Sequence, residues 1–371
     1  MLITLFKRVA AIIPMIVAAS FICFATWKTN GQRLETTPIS LNECWQYPSD
    51  SIQTAQPATD AVNLYFAEVG GRITAISLST GLRVWSTDLG GEVRSNVAVH
   101  GSSVFVVTGP AFDGTARANG RLRSLSSATG VPSLDVTIPY SEDVRLDISG
   151  GNLIAVQNTG IVTAYDPGLS RQVWSRSLPA VATAAFDGDR LLLAAADRTV
   201  HVISTKTGKE LMAANSNRVV TAIAAVNDDI LWGDDHGNVV RYGADKHSVV
   251  WRFRNGARIS DLTVTSESIV VTSLDNFVYL ISESNGGVRW KKRQVGRISD
   301  ITLDRGSLGV VITVGEPNAA VLDIQNGKTV GVLTIRDNEA FIRRPIFSNG
   351  RFIFFTTERI MSRSLLPCSS K

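Results

Sequence analysis

Cysteine and histidine are scarce in this chain. Three cysteines and four histidines in 371 residues exclude a multi-site structural zinc protein, which needs four nitrogen or sulfur ligands per ion. Cys23, Cys44 and Cys368 are nowhere adjacent, and His100, His201 and His247 are isolated. The densest metal-like run, Asp234-Asp235-His236, is followed by Gly237 and reads as a polar hairpin turn. No Gly-x-Ser-x-Gly elbow, Walker loop or dinucleotide loop occurs, so no catalytic residue, metal or cofactor is expected. Acids are missing from the N-terminus: residues 1–28 carry Lys7, Arg8 and Lys28 and no Asp or Glu. The remaining residues hold 34 basic and 33 acidic side chains, so the formal charge of +4 sits almost wholly in that segment. A near-neutral body excludes nucleic acid as the main partner.

What the N-terminus does have is residues 9–27, 19 in a row without a charge. As a helix they would reach ~28 Å, the thickness of a bilayer's hydrocarbon core. Lys7 and Arg8 precede them, which points the N-terminus to the cytoplasm and exports the rest. The expected organisation is a transmembrane signal anchor at 1–28, a linker at 29–41 and one domain at 42–371. That predicts a single-pass protein of the inner or plasma membrane, with its body in the periplasm or extracellular space. The competing reading is a signal peptide cleaved after the small-x-small run Cys23-Phe24-Ala25.

Residues beyond the linker repeat. GRITAISLSTGLRVW (71–85), NFVYLISESNGGVRW (276–290) and GNVVRYGADKHSVVW (237–251) share an alternating run, a turn and a closing Trp. The same frame gives Trp85, Leu134, Trp174, Met212, Trp251, Trp290 and Gly331, with gaps of 49, 40, 38, 39, 39 and 41 residues. A period near 40 built only of β-type segments predicts a propeller of four-stranded antiparallel blades. Trp45, forty residues before Trp85, supplies the missing last strand for RIMSRSL (359–365). The expectation is thus an all-β, eight-bladed propeller closed by its N-terminal strand, which leaves no open sheet edge between first and last blades. Trp45, Trp85, Trp174, Trp251 and Trp290 are assigned to blade-to-blade packing.

The A-x-[ST]-x-x-T-G-x-x-x-W pattern, as at 75–85, resembles the PQQ-type β-propeller repeat and covers about residues 42–368. That family includes quinoprotein dehydrogenases and the BamB-type scaffold of outer-membrane barrel assembly. The chain is similar in size to the second. The resemblance implies protein partners in the cell envelope and a binding role in envelope protein assembly or quality control. A quinone-dependent dehydrogenase is the third-ranked reading, since the vicinal cysteine pair usual in such enzymes is missing.

Candidate binding residues recur where each blade begins. Arg94, Arg145, Arg218, Arg258, Arg297 and the Arg343-Arg344 pair lead into innermost strands. This ring of bidentate donors suits carboxylates or phosphates. It defines the second-ranked reading, an anion-sensing propeller. The reading weighed ahead of binding, and compatible with it, is a belt of ion pairs with nearby Asp147, Asp261 and Asp300. The run R-[IL]-S-D occurs at 258–261 and 297–300 and resembles blade-entry loops by which the BamB-type scaffold docks its partner. The 109–120 insertion falls on the same face. A Cys44–Cys368 disulfide is expected, because Cys368 falls where Gly81 stands in the repeat. In the eighth blade that turn is cut between the two chain ends, and an oxidising compartment would permit the bond.

Overall fold

The computed structural model of the protein describes residues 37–49, 51, 55–110, 119–304 and 307–368. The expected membrane segment, most of the linker and the tip of the 109–120 insertion lie outside the described residues. Every regular element among those described is a β-strand.

The strands form eight sheets, each with four antiparallel strands, A to D from the axis outward. Blades 1 to 7 occupy 58–88, 98–139, 144–177, 181–215, 220–254, 259–293 and 298–333. Blade 8 takes three strands from 346–364 and its outermost from Asn42–Pro48, which pairs antiparallel with Arg359–Ser364. The closure expected from the repeat is therefore present. One strand was not expected. Ile39–Ser40 runs parallel to the outer strand of blade 7, matching Ile39 to Gly331 and Ser40 to Val332, and makes that sheet five-stranded.

Burial follows from the stacking. The second strand of each blade is sandwiched on both faces and reads as an almost unbroken apolar run, as in Leu153–Val156 and Leu191–Ala195, all buried. Outer strands alternate, because one face meets solvent. The apolar core divides into eight clusters, one at each seam between neighbouring blades.

The five repeat tryptophans pin these seams. Each indole N–H donates to a carbonyl in the next blade: Trp45 to Leu78, Trp85 to Ser127, Trp174 to Thr205, Trp251 to Glu283 and Trp290 to Ile324, at 2.8–3.0 Å. Each ring also lies against the turn glycine of that blade. A Cβ on Gly81, Gly130, Gly208, Gly286 or Gly327 would come within 2.4–3.0 Å of it. All five glycines have φ near +70°, so two separate demands select glycine there. Where the slot is not Trp, the facing turn has no glycine at that place: Ser170 follows Leu134, and His247 follows Met212. The Gly331 slot is filled from both chain ends by Leu365 and Leu41.

Blade 8 carries the expected bond. Cys44 and Cys368 are joined as a disulfide with their Cα atoms 5.3 Å apart. Beside it Arg363 pairs with Glu43 at 2.7 Å, and Arg359 with the buried Glu339 at 2.8 Å. Both termini are thus fastened to one sheet by backbone, ionic and covalent links.

Candidate binding face and channel mouth

The D–A and B–C loops share one face of the ring. The central channel opens there into a cavity of about 760 Å³. How a side chain relates to that cavity depends on its position relative to an anchor residue at the entry to the blade. That anchor is Val93, Val144, Val220, Ile259, Ile298 or Phe341, which pairs across the sheet at the end of strand B, as in Val144–Gln157 and Ile259–Ser273.

The arginines expected to form one ring fall into two tiers on this measure. Arg94, Arg145 and Arg343 follow their anchors and line the cavity, with Arg344 beside them. Arg218, Arg258 and Arg297 precede their anchors, do not line the cavity, and are exposed on the rim. The two tiers look alike in sequence because arginine recurs at each of these blade entries, and residue type alone does not record whether it stands before or after the anchor.

The inner tier is charge-balanced. Four arginines share the lining with Glu142, Asp143, Asp147 and Asp261. Arg344 reaches from blade 8 to Asp261 of blade 6 at 2.6 Å and to Asp300 of blade 7 at 3.8 Å. Arg94 pairs with Glu92 at 2.5 Å. Arg145 donates to the Ala184 carbonyl and lies 5.8 Å from the Phe186 ring centroid, over its face. Loss of bulk solvent pulls the Arg145 and Arg343 guanidiniums below the usual arginine range, against the nearby acids Asp147 and Asp300 respectively. The same burial pushes the Asp147 carboxyl up, although it accepts the Ile148 N–H at 2.7 Å and faces the Arg145 charge. Asp300 is raised for the same reason, with Arg344 opposing.

The R-[IL]-S-D runs acquire a structural meaning here. Ile259 and Ile298 are the buried anchors. The sheet register slips between Ile259 and Asp261 and between Ile298 and Asp300, so Ser260 and Ser299 form β-bulges. The acids do not pair with the arginine of their own run. Both turn to Arg344, a residue that the sequence ranked behind its neighbour Arg343.

The outer tier has a different chemistry. Among the described residues Arg218, Arg258 and Arg297 make no ion pair, and they come from three consecutive D–A loops. Exposed aliphatic side chains lie between them: Val219, Leu274, Val295 and Val314 are 46%, 37%, 67% and 69% exposed. Backbone bonds tie the two loop sets together, from Leu274 N–H to the Arg258 carbonyl and from Val314 N–H to the Arg297 carbonyl. The rim of blades 5 to 7 is thus a mixed basic and apolar arc. The aliphatic half of this arc was missed in the sequence, where loop valines carry no repeat signal. Asp234, by contrast, accepts the His236 and Asn238 backbone N–H groups at 2.9 Å, as a hairpin turn requires.

The sequence matches the family model described as outer membrane protein assembly factor BamB, over residues 27–185, 158–231 and 196–344. No curated protein matches the sequence. Among solved structures, the fold is similar to BamB from Moraxella catarrhalis, with TM-score 0.68 and 18% identity over 87% of this chain and 97% of that one. It is also similar to the computationally designed protein Ika8, at TM-score 0.72 and 15% identity over 87% and 99%. The C-terminal WD40 domain of Sif2 aligns at TM-score 0.72 and 11% identity over 89% and 99%. At such identities these likenesses speak to the fold alone.

Proposed function

Because this chain belongs to the BamB family of PQQ-type β-propellers, we propose that it is a non-enzymatic, protein-binding scaffold in envelope protein assembly. In this reading residues 9–27 tether it to the inner or plasma membrane, and the propeller works outside the cytoplasm. The observation that carries the reading is the rim arc of Arg218, Arg258 and Arg297 interleaved with Val219, Leu274, Val295 and Val314. Exposed aliphatic groups beside guanidiniums that make no ion pair among the described residues are a composition suited to docking a protein. The complementary partner surface is acidic and apolar. A rigid ring of eight blades holds these loops in place without any induced folding.

A photo-crosslinking amino acid at Val295, introduced in cells, tests the proposal. Discrete protein adducts are expected at Val295. They should be lost in the Arg258→Glu, Arg297→Glu double variant and absent from Val62, which lies on a turn of the opposite face. Depletion of the protein should lower the amount of folded β-barrel protein in the outer membrane. Undiminished adducts in a folded double variant, or unchanged barrel levels on depletion, would overturn the reading.

A further inference from the structure

The channel mouth holds side-chain charges of both signs that make no ion pair among the described residues, although Arg145 donates to the Ala184 carbonyl and Asp147 accepts the Ile148 N–H. Of its four arginines, two are engaged by carboxylates, Arg344 by Asp261 and Asp300 and Arg94 by Glu92. Arg145 and Arg343 have no ion pair among the described residues, and the buried Nε of Arg343 has no hydrogen-bond acceptor there. Of the four lining acids, Glu142, Asp143 and Asp147 likewise have no ion pair among the described residues. Arg145 and Asp147 stand two apart on one strand, Val144–Ser149, so both side chains face the same side of the sheet. They are nevertheless not in salt-bridge contact. Loss of solvent lowers the two arginines and raises Asp147, against nearby charges of opposite sign.

We propose that this cavity is a binding site for a small zwitterion, a free amino acid or a short peptide. The ligand's carboxylate would be gripped by Arg145 and Arg343, and its ammonium by Asp147 with Asp143. A simple anion would satisfy the guanidiniums but add to the charge already facing the three acids. A simple cation would do the reverse. A dipolar solute leaves the balanced lining balanced and supplies both missing partners. The volume of about 760 Å³ is ample for a molecule of that size. The site is separate from the rim arc and does not depend on what docks there.

The test is ligand-observed NMR on the full-length chain in detergent at constant ionic strength. Three probes are compared: glycylglycine, N-acetylglycine, which lacks the ammonium, and glycinamide, which lacks the carboxylate. Saturable binding of glycylglycine is expected, with each of the other two weaker by about tenfold or more, as fits loss of one charge-assisted contact. Arg343→Gln and Asp147→Asn should each weaken glycylglycine by a similar factor. Arg258→Glu with Arg297→Glu should leave it unchanged. Arg145→Gln is a further probe, but Arg343→Gln and Asp147→Asn decide the matter if it fails to fold. Equal binding of N-acetylglycine and glycylglycine would overturn the proposal. So would absence of saturable glycylglycine binding, or unaltered binding in folded Arg343→Gln and Asp147→Asn.

Discussion

Trp45 and Gly81 meet across the seam that closes the ring: a Cβ on the glycine would sit 2.7 Å from the indole, while the indole N–H bonds the Leu78 carbonyl in the same turn. The pair joins a residue from the N-terminal strand of blade 8 to the first blade. The same arrangement recurs at four further seams, and the two residue types come and go together.

That pairing can be measured at Trp251 and Gly286. Gly286→Ala should cost about 2 kcal/mol, from the left-handed backbone and from the displaced ring. Trp251→Met should cost about 3 kcal/mol through lost packing. Combined, they should cost less than the two added together, by about 1 kcal/mol, because the methionine leaves room for the new methyl. His247 opposite Met212 is the natural example of this combination. Chemical unfolding of the four proteins checks the cycle, and strict additivity would show that the two residues do not compete for space.

Reduction of the Cys44–Cys368 bond should weaken the ring without abolishing it. The bond spans 324 residues of chain, for which the chain-entropy model gives at most about 5 to 6 kcal/mol. Thermal unfolding with and without reductant should show a clear drop in midpoint. Cys44→Ser should match the reduced protein and show no further response to reductant.

Asp147 gives a pH signature. Its carboxyl is raised in the folded protein, so the folded state binds the proton more readily than the unfolded chain. Ionised Asp147 therefore costs stability above its folded pKa, and that cost disappears as the pH falls through it. Asp147→Asn should stabilise the protein near about pH 7 and lose that advantage towards about pH 3.5, below the ordinary aspartate value. Denaturant midpoints of wild type and variant across this range supply the check. A gain that grows on acidification would contradict the assignment.

The rim arginines should be silent in stability. They are exposed and unpaired among the described residues, so Arg258→Ala with Arg297→Ala should shift unfolding by less than about 0.5 kcal/mol. Capture of a partner should fall at the same time, and raising the salt should weaken capture by the unaltered protein. A large loss of stability would mean that these side chains hold the fold.

The propeller was legible in the sequence because its seams are repetitive. Tryptophan and the turn glycine that faces it mark five of eight seams, and Cys368 could be placed at the cut turn by counting. Ile39–Ser40 could not be foreseen: two residues added to a sheet edge carry no period. The channel was legible only by residue type. Arg145 and Arg258 both looked like blade-entry arginines, but one follows its buried anchor and the other precedes it. The bulges at Ser260 and Ser299 shift the register again, which is why Asp261 and Asp300 serve Arg344 and not the arginines beside them in sequence. Side-chain direction at a bulge depends on the neighbouring strand, and a single strand's pattern does not record it.

The short parallel pairing of Ile39–Ser40 with blade 7 governs how the ring bears tension. A pull on the chain before Thr37 first meets the bonds to Gly331 and Val332, then Leu41, whose N–H is held by the Val332 carbonyl, and then Cys44. From there the load passes through sulfur to the C-terminal end of blade 8. Force is thereby shared between two adjacent blades and two ends of the chain, and the closing strand beyond Cys44 is spared from being peeled away residue by residue.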